Sequence, residues 1–203
     1  MGKPKGVLIA IEGIDAVGKK TQTSLLKSWL RSRGLKARTL SFPDYETTIG
    51  KEIKKFLAGK VSYPPQVRAL LYSANRWEKK AEMEGVISKN DVTIVNRYVG
   101  SNFAYGVSSG LQLEWLQSLD SGLPMPDLVL LLDAPPVNLT LRRGQKDSYE
   151  RNVDLQTKAR WAYLKLADMF RWTVVDASGG IEGTSGIIIA AVSKVLETRT
   201  NDA

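Results

Sequence analysis

The chain has 203 residues, 43% hydrophobic and 25% charged, with a formal net charge of +8 and neither cysteine nor histidine. That length fits one domain whose core buries roughly 70% of the unfolded surface, and no apolar run approaches the ~20 residues of a membrane span. Without His or Cys, Ser-His-Asp hydrolysis, His-ligated zinc, disulfides and thiolate chemistry are excluded, so proton transfer falls to carboxylates, lysine or tyrosine.

The first element in chain order is an apolar strand, Val7 to Ile11. It runs directly into Gly13-Ile14-Asp15-Ala16-Val17-Gly18-Lys19-Lys20-Thr21, which matches G-x-x-x-x-G-K between a strand and a helix. Glycines let the backbone wrap so that successive N–H groups point at phosphate oxygens, the helix N-terminus adds its dipole, and Lys19 reaches the β and γ phosphates. All nine residues are therefore candidate ATP contacts. The dinucleotide fingerprint G-x-G-x-x-G does not fit, because Asp15 stands two places after Gly13. Lys20 occupies the Ser/Thr position whose hydroxyl normally ligates Mg²⁺; its ammonium either partly replaces the charge of a protein-held metal or faces solvent. ATP with Mg²⁺ is the expected cofactor, and the protein ligands of the metal are left unassigned.

A helix is predicted from Gly18-Lys19 to Gly34, with Leu25, Leu26, Trp29 and Leu30 as its apolar face. A strand over 37–42 follows. A long helix is then expected after Pro64-Pro65 to about Ser88, with Val67, Leu70, Leu71, Ala74, Trp77 and Ala81 as its apolar face. Strands are predicted over 92–95, 128–132 and 173–175. Between the last two, residues 142–152 carry Arg142, Arg143, Lys146 and Arg151 on polar text and read as a mobile basic lid.

Apolar strands alternating with helices imply an α/β, three-layer P-loop kinase fold: a five-stranded parallel sheet with helices on both faces. One domain, 1–203, is expected, with the lid inside it. The positive charge calls for anionic partners, either nucleic acid or polyphosphates in one pocket. The arginines cluster beside the lid instead of forming an aromatic-interleaved stripe, so a nucleic-acid-binding ATPase is the weaker reading. No signal core or myristoylation pattern is present at the amino terminus, and a cytoplasmic protein with no membrane partner is expected.

Four ordered blocks add to the glycine loop. They are Phe42-Pro43, Leu71-Tyr72-Ser73-Ala74-Asn75-Arg76-Trp77-Glu78, Asn96-Arg97-Tyr98 through Ser101-Asn102 to Tyr105-Gly106, and Val175-Asp176-Ala177-Ser178. With Ile11-Glu12-Gly13-Ile14-Asp15, these make the chain resemble the thymidylate kinases over nearly its whole length. The resemblance implies transfer of the ATP γ-phosphoryl group to dTMP, in dTTP synthesis, by a homodimer. It implies that Tyr72 stacks on thymine, Arg76 donates to a thymine carbonyl, and Arg97 grips the dTMP phosphate. It further implies that Ser101 and Asn102 read the base edge beside Phe42, that Tyr105 crowds the 2′ position, and that Asp15 holds the 3′-hydroxyl. Residues 72 and 76 are one helical turn apart, which suits a single slot. Packing roles for Tyr72, Asn102 and Tyr105, and a surface role for Arg76, remain open at this point.

The family has Asp where this chain has Asn96, and a catalytic arginine either at the position of Ala16 or in the lid. Ala16 cannot supply that cation, so it falls to the lid, where Arg151 is favoured over Arg142 and Lys146; Arg151 thus joins Lys19 and Arg97 as a candidate catalytic residue, and Arg143 is a candidate adenine contact. Gln156, on the helix after the lid, is a candidate substrate contact. A phosphate acceptor suits a chain without histidine, since its second pKa near 6 leaves it largely dianionic at neutral pH. Another nucleoside monophosphate or a deoxynucleoside remains the alternative acceptor.

Overall fold

The computed structural model describes residues 6–136 and 153–201. The lid candidates Arg142, Arg143, Lys146 and Arg151 lie outside the described residues.

Five strands, β1 (Val7–Glu12), β2 (Ala37–Ser41), β3 (Val92–Asn96), β4 (Leu128–Asp133) and β5 (Thr173–Asp176), form one sheet in the order β2-β3-β1-β4-β5. Every pairing is parallel, with Ile9 opposite Ile94 and Ile11 opposite Leu130. All six residues of β1 are buried, because helices cover both faces of the sheet. The strand bounds agree with the sequence reading to within one residue.

Eight helices are described: α1 (Lys19–Ser32), α2 (Thr48–Leu57), α3 (Pro65–Trp77), α4 (Lys80–Lys89), α5 (Val99–Ser108), α6 (Leu113–Leu119), α7 (Val153–Phe170) and α8 (Ile181–Asn201). Right-handed crossovers put α1 on one face and α4, α5 and α7 on the other; α8, which follows the last strand, packs on α1, and α5 packs on α7. The chain leaves β1 toward one face and β3 toward the other. Between their carboxyl ends lies the crevice where open α/β sheets bind ligands.

The long helix expected over 65–88 is two helices. Lys79 N–H bonds Arg76 O at 3.1 Å, an i to i−3 turn, before Met83 N–H resumes the α spacing to Lys79 O at 2.9 Å. Long-range contacts hold the break. Asn75 accepts from Asp44 N and donates to Thr47 Oγ1 and Glu78 Oε1, while Lys79 Nζ reaches Asp44 Oδ2 at 3.2 Å. The predicted apolar face also needs correction. Leu70 and Trp77 are 47% and 38% exposed, whereas Ala69, Ser73, Asn75 and Arg76 are buried. The inward side of α3 carries Ser73, Asn75 and Arg76, which are bonded to Asp120 and Asp44, so hydrophobic periodicity points the wrong way.

Candidate active site

Gly13 and Gly18 let the loop after β1 turn back on itself. Gly13 has φ of 137°, and a Cβ there would meet Leu132 O at 2.4 Å; Gly18, the residue before α1, has φ of 101°. Ala16 also adopts positive φ, 62°. The loop places Ile14 and Val17 in the core, 1% and 2% exposed, so these two can offer a ligand only backbone. Lys19 Nζ donates to Gly13 O at 2.9 Å and Ile14 O at 2.7 Å. Its ammonium thus lies across the loop it would complete. Lys20 is exposed and lines the adjoining cavity.

That cavity, about 620 Å³, is walled by the loop on one side and by β2, β3, α3 and α5 on the others. Asp15, Ala16, Gly18, Lys19, Lys20 and Thr21 line it, as do Phe42, Tyr72, Arg76, Arg97, Ser101, Asn102 and Tyr105. Gln156 is fully buried behind them. Tyr45 and Arg68, at the rim, were not singled out from sequence.

Asp15 is the hub of the polar wall. Its Oδ1 pairs with Arg97 Nη2. Its Oδ2 accepts from Gln156 Nε2 at 2.9 Å and from the Tyr105 hydroxyl at 3.2 Å, and its N–H donates to Gln156 Oε1 at 3.1 Å. Burial pushes the Asp15 carboxyl upward, but Arg97 first and Lys19 next outweigh it and hold the pKa at about 2, against 3.8 for a free aspartate. Burial likewise pushes the Tyr105 hydroxyl well up, so it stays a neutral donor.

A folded-state pKa below the unfolded one makes ionised Asp15 stabilising above about pH 4, and that contribution is lost as pH falls from about 4 to 2. A gap of nearly two units corresponds to about 2 kcal/mol. Stability against pH, followed by circular dichroism, is therefore expected to fall more steeply over this window in the parent than in Asp15→Asn. Equal slopes would contradict the ion-pair reading.

Arg97 follows β3 with φ of 60°, a left-handed pose rare for a side chain of this size. Its Nη1 lies 3.3 Å from Ser101 Oγ, and its guanidinium stands 5.8 Å from the Tyr105 ring centroid. The Ser101 hydroxyl is already engaged by Glu12 and Tyr163. Asn102 Nδ2 donates to Ala69 O at 3.3 Å, tying α5 to α3.

Arg76 is not a surface cation. It is 2% exposed and forks onto Asp120, Nε to Oδ1 at 3.1 Å and Nη2 to Oδ2 at 2.6 Å, while still lining the cavity. Asp120 also accepts from Ser73 Oγ at 2.8 Å. No local pattern marks Asp120, which lies 44 residues beyond Arg76 in the turn after α6. Arg160 forks onto Asp133 at 2.7 and 2.8 Å, fastening α7 to β4.

A family profile described as Thymidylate kinase matches residues 11–187. The chain belongs to the thymidylate kinase family. The thymidylate kinase of Schizosaccharomyces pombe is 39% identical across 98% of this chain and 97% of its own length. That of Homo sapiens is 33% identical across 98% and 96%. The solved thymidylate kinase of Candida albicans superposes with a TM-score of 0.80 at 30% identity, over 98% of this chain and 94% of that one. The P-loop kinase fold read from sequence is the fold of this family, and no described helix is long and apolar enough to cross a membrane.

Proposed function

We propose that this thymidylate kinase family member is a cytoplasmic homodimer that moves the γ-phosphoryl group of ATP onto dTMP, giving dTDP and ADP. The carrying observation is the shared cavity, in which Lys19 and the glycine loop stand at one end, Arg97 faces them, and Tyr72 and Arg76 line the far wall.

In this reading the N–H groups of residues 13–21 and Lys19 hold the ATP phosphates, and Arg97 holds the acceptor phosphate. Phosphoryl transfer is largely positioning and neutralisation of equatorial oxygens, and a dianionic acceptor needs no base. Tyr72 and Phe42 enclose thymine, and Arg76, held by Asp120, addresses a carbonyl. Tyr105 and Asp15, braced by Gln156, meet the sugar. Asn102 borders the base, while Ser101 is best read as holding Arg97. Arg151 supplies the lid cation and Arg143 the adenine contact.

The described residues do not fit a protein-held Mg²⁺. Lys20 has no lone pair to give, Asp15 is paired with Arg97, and the Glu12 carboxylate is filled by donors. Asn96 Oδ1, buried without a hydrogen-bond partner, and the Thr21 hydroxyl are neutral and therefore weak ligands. Mg²⁺ accordingly enters on the phosphates of ATP. The exposed Leu70 and Trp77 on α3 support a dimer face; sedimentation at micromolar concentration should give twice the 22.4 kDa chain mass, and a monomer would refute it.

The deciding experiment is a coupled assay with ATP over a panel of ribo- and deoxynucleoside monophosphates and thymidine, with and without Mg²⁺. dTMP should be fastest, with Mg²⁺ required. A higher kcat/KM on any other acceptor would replace the assignment.

A further inference from the structure

Glu12, the last residue of β1, is fully buried, yet phosphate binding by the loop after it makes no use of its carboxylate. A buried carboxylate persists only when its oxygens are filled by donors, and here they are. Oε1 accepts from the N–H groups of Tyr98 at 2.8 Å and Ser101 at 3.1 Å. Oε2 accepts from the Ser101 hydroxyl at 2.6 Å and the Tyr163 hydroxyl at 3.2 Å.

Two of those donors belong to the start of α5, which has no side-chain cap of its own. Glu12 therefore caps α5 from another strand, with a negative charge at the positive end of the helix. Its grip also bears on Arg97. The N–H of Arg97 bonds Ile11 O at 3.0 Å, and the N–H of Tyr98 bonds Glu12 Oε1. The peptides on both sides of Arg97 are thus fastened to consecutive residues of β1, which holds the left-handed backbone at φ of 60°. The fit is tight. A Cβ on Gly100 would stand 2.9 Å from Glu12 Oε1 and 2.9 Å from the Trp172 ring.

The geometry points to Glu12 as the positioning residue for Arg97: it touches no ligand and aims the arginine at the acceptor phosphate through the Tyr98 and Ser101 amides. This rests on the reading of Arg97 as the acceptor grip. It also separates the two nucleotides. Glu12 directly precedes the glycine loop, so a merely structural role would disturb ATP binding at least as much as acceptor binding.

Glu12→Gln preserves volume but removes the charge and turns an NH₂ toward two hydroxyls. The expected result is a KM for dTMP raised about ten-fold, with the KM for ATP within about two-fold of the parent. Gly100→Ala, which keeps the carboxylate and crowds it, should give the same split and decides the matter if Glu12→Gln does not fold. KM values that rise together, or a dTMP KM that does not move in a folded variant, would overturn the inference. If the parent prefers another monophosphate, the acceptor assignment fails while the same split, read with that acceptor, still tests Glu12.

Discussion

Arg97→Ala is expected to lower kcat/KM for dTMP by about 10³-fold, with the KM for ATP little changed. The magnitude follows from the charge-assisted hydrogen bonds removed, about 1.5–3 kcal/mol each, at 1.36 kcal/mol per factor of ten. Among the described cations of the cavity, Lys19 is turned to the loop carbonyls opposite and Arg76 is forked onto Asp120. Arg97→Lys keeps the charge but loses the planar fork that also reaches Asp15 and Ser101. It should therefore recover only about one order of magnitude of the loss. Steady-state kinetics with dTMP and ATP varied in turn measure both variants. Activity within ten-fold of the parent for Arg97→Ala would remove Arg97 from the acceptor site.

Asp120→Ala carries the second large effect, on stability. The Arg76–Asp120 pair has side chains 3% exposed at each partner, and removing one member leaves a buried, uncompensated charge that costs about 3–5 kcal/mol. For a chain of this length that is a fall of about 10 °C in Tm. The same change frees Arg76 from its fork, so the KM for dTMP should rise in whatever protein remains folded. Arg76→Met in the Asp120→Ala background should restore part of the Tm without restoring dTMP affinity, because it removes the orphaned charge and, on the role proposed for Arg76, the thymine donor with it. A Tm within about 2 °C of the parent for Asp120→Ala would mean that solvent or another group compensates Arg76.

The P-loop and the five strands were readable because both are local. A strand buried on both faces needs a run of apolar residues, and a phosphate cradle needs glycines at set spacing before a helix. The blocks around Tyr72, Arg76 and Arg97 stood out by resemblance, and the structure draws them to one cavity. The break at Glu78–Lys79 and the outward turn of Leu70 and Trp77 were not readable. Periodicity reports which residues share a helix face, but which face turns inward is set by what packs there, and α3 turns Ser73, Asn75 and Arg76 in toward Asp120 and Asp44.

The sequence alone determined that a glycine loop of phosphate-binding pattern follows the first strand, in an α/β fold without imidazole or thiol chemistry. Only the tertiary structure decided how that loop is equipped. Glu12 clamps the turn that carries Arg97, across 86 residues, and Asp120 holds Arg76 across 44. Both are single carboxylates filled by distant donors. Glu12 stands in a block that carries the resemblance and Asp120 in none, but the partners of both appear only when folding brings them within hydrogen-bond reach.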